Sequence, residues 1–525
     1  MSEDRADLPP VPPADDQTPV TDRNAGTDRN TGTDRNAGTE QQTLTVAIIG
    51  AGPSGIYAAE ALTHQLDVPV DVTVIDRLPV PFGLVRYGVA PDHPSIRSVR
   101  NTLERTLEKP GVRFYGNVSI GADLTVDELR NSVDAVIYAF GAGSDKRLDI
   151  PGEDLFGSVA AAEFVSWYCG HPDVHPDTGG AVHGATEDGD EGSFGEGRMG
   201  EGRPTRLEAE HFAQLVATTR EAVVVGVGNV ALDVARILTK RTGELDATDM
   251  ADEVLDSLGR TTVCDVHVLG RRGPAHTAFT TKELRELGQL PDVDLLVNPA
   301  DLELDDTSQA VVATDKVAAR NLVVLREWAA RPAGQASRRV QLHFWTRPVR
   351  LLGTERVSGV EIERTALAAD GSVTGQGERR VIPAQLVVRS VGYRGEPLPG
   401  VPHDDRTGRV PHAEGRVIRD GGFSPDEYVT GWVKRGPTGV IGTNKSDAVE
   451  TVTSLLHDVS DGALVPGGRV GLLAKLFAER GIEPVGIDGW HRIDAAELEL
   501  GQSHGRVRTT LAHRSDLLAA AESVD

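Results

Sequence analysis

The chain has 525 residues, of which 39% are hydrophobic and 25% are charged, so its composition is close to that of globular proteins. The length favours two or more domains, and no apolar run reaches the roughly 18 to 20 residues that span a bilayer, which excludes an integral membrane segment. The net charge of -25 argues against nucleic acid as a partner. Only Cys169 and Cys264 occur, without disulfide or metal-ligand spacing, so we expect a reduced protein in the cytoplasm.

Two segments have compositions that disfavour packing. Residues 1–43 hold three TDRN units and few large apolar side chains, which predicts a disordered tail. Residues from about 173 to 210 are rich in Gly and acid and exceed the usual length of a connection, which predicts a disordered surface insertion. The two segments carry net charges of -5 and -7, so the remaining chain is less acidic than the total suggests.

Elsewhere, strands and helices are predicted to alternate as in βαβ units. The first series has strands at 46–49, 72–75 and 135–140 and a helix over 94–109. A second series begins with strands at 223–225 and 263–269. Towards the C-terminus we expect a strand at 428–432, a helix that starts within 436–439 and continues to 456, and a helix over 472–480.

The first strand enters a glycine turn with the pattern GxGxxG. Gly50 permits the tight turn, Gly52 lets a pyrophosphate approach the backbone, and Gly55 allows the following helix to pack against the strand. The N-terminus of that helix then faces the phosphates. Asp76 follows the second strand, where a carboxylate accepts hydrogen bonds from ribose hydroxyls. These features predict a dinucleotide site.

A second turn of the GxGxxA form follows the strand at 223–225, with glycines at Gly226 and Gly228 and Ala231 at the third position. Its partner strand is followed by Arg271 and Arg272 in place of an acid. Two arginines suit a 2′-phosphate, so the second ligand is predicted to be NADP and not NAD. The alternative is a solvated surface pair.

One site ending in an acid and one ending in arginines suggest a tightly held flavin and an exchangeable nicotinamide. In the late segment, a helix N-terminus aimed at the flavin would stabilise the reduced anionic ring by roughly 0.3 to 2 kcal/mol. An ordinary βα turn explains that segment equally.

Several longer strings carry a family resemblance. They are PFGLVRYGVAPDHP at 81–94, NVALDVAR at 229–236, GRRGP at 270–274 and GWVKRGPTGVIG at 431–442. Together with the first glycine turn they resemble the adrenodoxin reductase type of ferredoxin-NADP+ reductase, over roughly residues 44 to 525 apart from the acidic insertion.

The resemblance implies contacts for both nucleotides. The implied FAD contacts are Ser54, Asp76, Leu84, Ile120, Trp432, Gly439, Val440 and Ile441. The implied NADP contacts are Val227, Gly228, Asn229, Val230, Arg271, Arg272, Glu283 and Gly439. The sequence departs from the family at Asp76, where Glu is usual, and at Ala275-His276, where Leu-Gln is usual.

His93 and Glu286 match family residues near the flavin and nicotinamide, so we expect them to order the site or to pass protons between solvent and reduced flavin. A backbone-satisfied turn histidine and an exposed helical charge are the alternatives. Arg285, Arg320 and Arg326 on predicted helices are the candidates for docking an acidic ferredoxin.

The predicted fold class is α/β, with two Rossmann-like dinucleotide-binding domains. The FAD domain comprises residues 44–144 and 395–525, and the NADP domain, residues 145–394, is inserted into it. The predicted reaction passes a hydride from NADPH to FAD and then single electrons to a ferredoxin-type iron-sulfur protein, which must be a separate protein because this chain lacks cluster-binding cysteines. The rivals are an NADPH-dependent flavin monooxygenase and a non-enzymatic nucleotide-binding redox sensor. A disulfide reductase is disfavoured because it needs paired redox cysteines.

Overall fold

The computed structural model describes residues 42–64, 68–177, 208–332, 334–368 and 370–522. The predicted tail lies outside the described residues apart from its last two positions, Gln42 and Thr43, and most of the predicted insertion also lies outside them.

The strands of the described ranges form four sheets. In chain order the strands are β1 (Leu44–Ile49), β2 (Val70–Ile75), β3 (Val112–Tyr115), β4 (Ala135–Tyr138), β5 (Ser144–Asp145), β6 (Ser158–Ala160), β7 (Glu221–Val225), β8 (Asp265–Leu269), β9 (Val293–Val297), β10 (Arg338–His343), β11 (Thr346–Leu352), β12 (Gly359–Leu367), β13 (Val373–Pro383), β14 (Leu386–Arg389), β15 (Tyr393–Arg394), β16 (His412–Ala413), β17 (Arg416–Arg419) and β18 (Gly422–Val429).

The α-helices of the described ranges surround these sheets. In chain order they are α1 (Pro53–His64), α2 (Leu84–Tyr87), α3 (Pro94–Arg97), α4 (Arg100–Leu107), α5 (Val126–Ser132), α6 (Ala161–Tyr168), α7 (Ala209–Thr218), α8 (Asn229–Thr239), α9 (Thr242–Leu245), α10 (Asp252–Gly259), α11 (Thr281–Leu287), α12 (Asp306–Thr314), α13 (Lys316–Ala329), α14 (Trp432–Arg435), α15 (Thr443–Ser460), α16 (Leu472–Arg480), α17 (Ile487–Ser503) and α18 (Arg514–Ala521). Short 3-10 helices occur at Pro274–His276 and Pro299–Leu302. None of the helices in these ranges is long and apolar enough to cross a membrane.

The first sheet has seven strands in the order β16-β17-β18-β4-β1-β2-β3. Strands β18, β4, β1, β2 and β3 pair in parallel, and β16 and β17 add an antiparallel edge. Every residue of β1 is buried, as expected for a central parallel strand that is covered on both faces. The second glycine-turn strand belongs to a different sheet.

That second sheet has six parallel strands in the order β6-β14-β7-β8-β10-β9. A separate antiparallel sheet of β11, β12 and β13 lies in the chain between its strands β10 and β14. The chain leaves the first sheet after β4 and returns to it at β16. The outgoing and returning segments, β5 and β15, pair antiparallel, with Tyr393 opposite Asp145. The unit containing the second sheet is therefore inserted into the unit containing the first.

The helix predicted over 94–109 is divided into α3 and α4. Ser98 and Val99 between them keep right-handed helical dihedral angles. The amide of Val99 donates to the carbonyl of Ile96, and the amide of Asn101 donates to the carbonyl of Ser98. These three-residue spacings are those of a 3-10 turn, so the helical path continues but is locally tightened.

The prediction for residues 428–439 was wrong in two places. Strand β18 ends at Val429, and Trp432 begins the short helix α14. The following helix α15 begins at Thr443 and not within 436–439. Gly436 and Gly439 both have φ of +86°, which breaks a right-handed helix at each position.

The predicted insertion over 173–210 was too wide at both ends. His175 is buried, donates from Nε2 to the Trp167 carbonyl oxygen over 2.9 Å, and contacts the Glu253 carboxylate through Nδ1. Helix α7 begins at Ala209. The local composition did not reveal this packing because the anchor Glu253 is distant in sequence.

Candidate functional site

The first glycine turn joins β1 to α1 and has three different steric environments. Gly50 has φ of +110°, and a Cβ there would lie 2.6 Å from the Ala139 carbonyl oxygen. A Cβ at Gly55 would lie 2.0 Å from the Gly50 carbonyl oxygen, so the helix approaches the turn closely. A Cβ at Gly52 would meet no atom of the described residues within 4 Å. The turn is therefore closed against the protein at two glycines and open at the one predicted to face a pyrophosphate.

Asp76 lies beside this turn, at the end of β2. Its Oδ2 accepts a hydrogen bond from the amide of Ala51 over 2.7 Å, and its Oδ1 accepts one from the amide of Leu78 over 3.0 Å. Burial raises the pKa of Asp76, while the two amide donors act in the opposite direction. The carboxylate thus fixes the turn to the end of β2, and each of its oxygens keeps a lone pair for a further donor.

The late motif packs onto the same turn. A Cβ at Gly431 would lie 2.3 Å from Ser54 Oγ, which donates to Asn444 Oδ1 over 2.8 Å. The amide of Gly431 donates to Asp447 Oδ2. Trp432 follows directly, with its ring centroid 5.2 Å from that of Tyr393. Ser54 and Trp432, which are distant in sequence, are therefore brought to one place.

Among the remaining predicted FAD contacts, Ile120 is buried, and the others are exposed or partly buried. Leu84 is 40% exposed, and the backbone leading to it is tied to the turn by a hydrogen bond from the amide of Phe82 to the Ala51 carbonyl. Gly439 and Val440 are exposed and Ile441 is partly buried, in the loop before α15. Ile120 differs from these because its side chain is buried in the core with Val118 and Leu124.

The second glycine turn repeats the pattern of the first. A Cβ at Gly226 would lie 2.1 Å from the Ser390 carbonyl oxygen, whereas a Cβ at Gly228 would meet no atom within 4 Å in the part of the chain that the structure describes. Asn229 begins α8, and its Oδ1 accepts a hydrogen bond from the amide of Thr280 over 2.8 Å. The amide of Ala278 donates to the Val227 carbonyl. These two hydrogen bonds join the turn to the segment before α11. Val227 and Val230 are partly buried.

Arg271 and Arg272 follow β8, the strand that pairs with β7 beside this turn. A Cβ at Gly270 would lie 2.9 Å from Val227 Cγ1, which places the start of the arginine pair against the turn. Arg271 is exposed and Arg272 is half-buried. Arg272 Nε is buried without a hydrogen-bond partner among the described residues. The arrangement leaves guanidinium donors available for an anion.

Charged residues from both units meet between the two turns. We define the junction cluster as Asp92, His93, Asp233, Arg236, Glu283 and Glu286. His93 Nε2 lies 2.9 Å from Glu286 Oε2 and 3.4 Å from Glu283 Oε2. His93 is 7% exposed, whereas the Glu286 side chain is 27% exposed. The two residues predicted as catalytic are therefore adjacent, with Glu286 nearer to solvent.

Arg236 organises the other side of the junction cluster. Its guanidinium contacts Asp92 and Asp233, each over 2.7 Å, and lies 3.6 Å from Glu283. Burial alone would raise the pKa of Asp92, but hydrogen bonds from Arg236 and Lys240 hold it well below its usual range. Glu283, which the resemblance places among the NADP contacts, directs its carboxylate to His93 and Arg236.

Comparisons with known proteins agree with this geometry. A family model described as pyridine nucleotide-disulphide oxidoreductase matches residues 44–271. The NADPH-ferredoxin reductase FprA of Mycobacterium tuberculosis is 43% identical over 492 residues, which cover 90% of this chain and 98% of the relative. The mitochondrial NADPH:adrenodoxin oxidoreductase of Arabidopsis thaliana is 36% identical over 497 residues, covering 91% and 95%.

The solved structure of Mycobacterium tuberculosis FprA in complex with NADPH matches with a TM-score of 0.80 and 41% identity, covering 91% of this chain and all of that one. The chain belongs to the adrenodoxin reductase type of ferredoxin-NADP+ reductase. The resemblance inferred from the motifs and the predicted fold class, with one Rossmann-like domain inserted into the other, are both confirmed.

The sequence departs from the usual pattern of the adrenodoxin reductase type at Asp76 and at Ala275-His276, and the structure shows what surrounds each position. Asp76 bonds two amides of the turn region, as described above. Ala275 is buried and His276 is partly buried in the 3-10 helix after the arginine pair, and His276 Nε2 lies 3.3 Å from Ser308 Oγ. Neither departure disrupts the elements that carry the glycine turns.

Sequence reasoning missed Asp92, Asp233 and Arg236 as members of the junction cluster. All three residues lie in the segments 81–94 and 229–236 that carry the family resemblance, but no role was predicted for them. One signal was available, because Asp233 and Arg236 are three residues apart on the helix that follows a glycine turn and so share one face. The contact with Asp92 depends on how the two units of the adrenodoxin reductase fold meet.

Glu283 provides a pH-dependent prediction. Burial, followed by repulsion from Asp233, raises the pKa of Glu283 from 4.5 to about 7. The folded protein therefore keeps a proton that the unfolded chain releases. The resulting stabilisation is complete below pH 4.5 and is lost as the pH rises through about 7. A Glu283→Gln variant cannot ionise, so its Tm should rise relative to the parent protein between pH 5 and pH 8.

Thermal unfolding of both proteins across that range measures this difference. Glu327→Gln is the matched control, because Glu327 is exposed on α13. Its Tm difference from the parent should not vary with pH. Parallel curves for Glu283→Gln and the parent would contradict the pKa assignment.

Proposed function

We propose that this protein is an FAD-dependent oxidoreductase that takes a hydride from NADPH and delivers single electrons to a ferredoxin-type iron-sulfur protein. The observation that carries the proposal is the pair of glycine turns, each open at its second glycine, on two units that meet at a buried junction cluster. One turn is accompanied by an acid and the other by two arginines, which separates the FAD site from the NADPH site.

The FAD site is formed by the first unit, for which we propose residues 44–144 and 395–525. Gly52 would let the pyrophosphate approach the α1 N-terminus, Gly50 and Gly55 would keep the turn closed against the protein, and Asp76 would accept hydrogen bonds from the ribose hydroxyls. Ser54 and Trp432 lie at this turn, and the segment that leads to Leu84 is hydrogen-bonded to it. Gly439, Val440 and Ile441, in the loop before α15, would add further contacts. Ile120 would contribute through its backbone because its side chain is in the core. FAD, when bound, supplies hydride acceptance and release of electrons one at a time.

The NADPH site is formed by the inserted unit, for which we propose residues 145–394. The backbone of 227–230 would bind the pyrophosphate, and Arg271 with Arg272 would bind the 2′-phosphate. The unpartnered Arg272 Nε fits this role, since a phosphate oxygen can accept from it. Asn229 holds Thr280, the N-cap of α11, and thereby orients the helix that carries Glu283 and Glu286.

Within the junction cluster, we assign His93 and Glu286 to proton movement. Glu286 reaches solvent and His93 does not, so a proton can pass from water to Glu286 and then to His93 Nε2. Arg236 neutralises the buried carboxylates and keeps the two units in register. Hydride transfer itself needs no side-chain base.

The electron acceptor is a separate protein in this proposal. The whole chain has two cysteines, which cannot supply the four ligands that an iron-sulfur cluster usually requires. Both are free thiols, Cys169 buried and Cys264 partly buried. Free thiols and use of NADPH support a cytoplasmic location, which we include in the proposal.

A visible spectrum tests this function. The purified protein should be yellow, release FAD and not FMN on denaturation, and bleach when NADPH is added without oxygen. Addition of an oxidised ferredoxin should restore the flavin spectrum. Oxygen-dependent conversion of a small substrate would favour a monooxygenase, and bound nucleotides without turnover would favour a redox sensor. A colourless protein that cannot be reconstituted with FAD would overturn the proposal.

We propose that Arg285, Arg320 and Arg326 dock the ferredoxin. All three are exposed on α11 and α13, which pack against each other, and none forms an ion pair with another described residue. Changing all three to Gln should raise the KM for ferredoxin several-fold at low salt, because charge steering accelerates association. Reduction of a small neutral acceptor should not change.

The dependence of ferredoxin reduction on ionic strength tests whether charge steering by the three arginines causes the change in KM. Ferredoxin reduction by the parent protein should slow as salt rises, and the triple variant should lose most of this dependence. Arg260→Gln, which changes an exposed arginine at the end of α10, is the control and should behave like the parent. An unchanged salt dependence in the triple variant would show that the ferredoxin docks elsewhere.

A further inference from the structure

A small cavity lies beside the 81–94 segment. It is lined by Phe82, Val85, Arg86, Arg97 and Arg100 and has room for about one water-sized species. Leu84, on the other face of the one-turn helix α2, is 40% exposed, whereas Arg86 is 5% exposed. The Phe82 ring packs edge-on against Trp490 of α17, 5.3 Å between centroids. None of the lining residues is among those proposed to contact FAD or NADPH.

The ion pairs among the described residues around the cavity leave one arginine without a contacting carboxylate. Arg86 and Arg508 both contact Glu497, Arg508 also contacts Asp494, and Arg97 lies 3.2 Å from Asp249. Arg100 forms no ion pair with any described residue, although its side chain is half-buried. Three of these four guanidinium groups contact carboxylates, and Arg100 is the one that contacts none of those described.

Two further features show that the site favours an anion. Arg86 Nε is buried and has no hydrogen-bond partner among the described residues. Burial lowers the pKa of Arg100, and the nearby Arg508 and Arg86 guanidinium groups contribute in the same direction, while Asp494 and Asp249 act against them. A buried donor without an acceptor and a partly desolvated cation that contacts no described carboxylate are both destabilising, and one anion relieves both.

We propose that this cavity binds a single small monovalent anion, for which chloride serves as the probe, held by Arg86, Arg97 and Arg100. The cavity is too small for a phosphate or a nucleotide. Arg97 also donates to the carbonyl oxygens of Arg86 and Val89, and Arg508 belongs to the segment that follows α17. A bound anion therefore fastens the segment that carries Leu84 and His93 to the C-terminal part of the chain. This inference does not depend on the proposed redox function.

Thermal unfolding of the holoprotein tests the site. Chloride is titrated at fixed ionic strength with gluconate, which is too large for the cavity, as the replacing anion. Binding to the folded state predicts a saturable rise in Tm of about 1 to 3 °C for the parent protein. The rise should be absent in Arg100→Gln and retained in Arg100→Lys. Arg105→Gln, which alters an exposed arginine on the same helix α4, should keep the rise.

A direct measurement separates specific binding from general salt effects. The ³⁵Cl NMR line of chloride should broaden in the presence of the parent protein, and the broadening should fall in Arg100→Gln but not in Arg105→Gln. If Arg100→Gln does not fold, saturation of the broadening in the parent as chloride replaces gluconate at fixed ionic strength provides the test, and a strictly linear increase would show non-specific contacts only. Equal Tm values in chloride and gluconate, or equal chloride broadening for all variants, would show that the cavity holds only water.

Discussion

Changing both Arg271 and Arg272 to Ala is expected to reduce the preference for NADPH over NADH by about 10² or more. A hydrogen bond to a charged group contributes roughly 1.5 to 3 kcal/mol, and about 1.36 kcal/mol corresponds to a factor of ten. The two residues stand where an NAD enzyme has a carboxylate, and Arg272 Nε has no described partner that would compete for it. The loss should therefore be specific to the 2′-phosphate.

The loss of preference should appear in the KM for NADPH. The 2′-phosphate is remote from the transferred hydride and binds alike in the ground and transition states, so the KM for NADPH should rise while kcat changes little. Turnover with NADH should barely change and FAD should remain bound. Arg331→Ala, at an exposed arginine of the same unit, is the control. Equal losses with NADH and NADPH would show that the two arginines do not recognise the 2′-phosphate.

Adding a methyl group at the open glycines should weaken nucleotide binding without unfolding the protein. A Cβ at Gly52 or Gly228 meets no described atom within 4 Å, and neither residue has a positive φ. In the bound state the same Cβ would occupy the space through which the pyrophosphate reaches the backbone amides. Loss of one or two such charged hydrogen bonds predicts a fall in affinity of about 10-fold to 10²-fold.

The two substitutions act as controls for each other. Gly52→Ala should lower the FAD content of the purified protein, and Gly228→Ala should keep FAD and raise the KM for NADPH. Far-UV circular dichroism should be unchanged for both. Gly50→Ala should instead disturb folding, since its Cβ would collide with Ala139. Full FAD content in Gly52→Ala would place the FAD pyrophosphate elsewhere.

The sequence predicted best those features whose cause is local. Gly50 has a positive φ and Gly55 must approach the Gly50 carbonyl oxygen five residues before it, so the spacing of the glycines alone indicated the turn. The arginine pair was recognisable because it follows a strand immediately. Helix α16 occurs over the predicted residues because its apolar pattern and the glycines at its ends are contiguous.

Features that arise from packing between distant segments were less accessible. The strand predicted to reach Trp432 ends earlier because Gly431 must approach Ser54, and the helix predicted from 436 starts later because of two left-handed glycines. His93 and Glu286 were predicted separately, and only the arrangement of the two units shows that they are adjacent. Arg236 was missed for the same reason.

The pairing of β5 with β15 affects the order in which the chain acquires its structure during synthesis. All residues of the inserted unit leave the ribosome before β18, so its six-stranded parallel sheet can form first. Once it has formed, β5 and β15 are held side by side, and the distance that the chain must close to add β18 to β4 is no longer set by the full intervening length. The entropic penalty for completing the first sheet then corresponds to a short loop, although β4 and β18 are far apart in sequence.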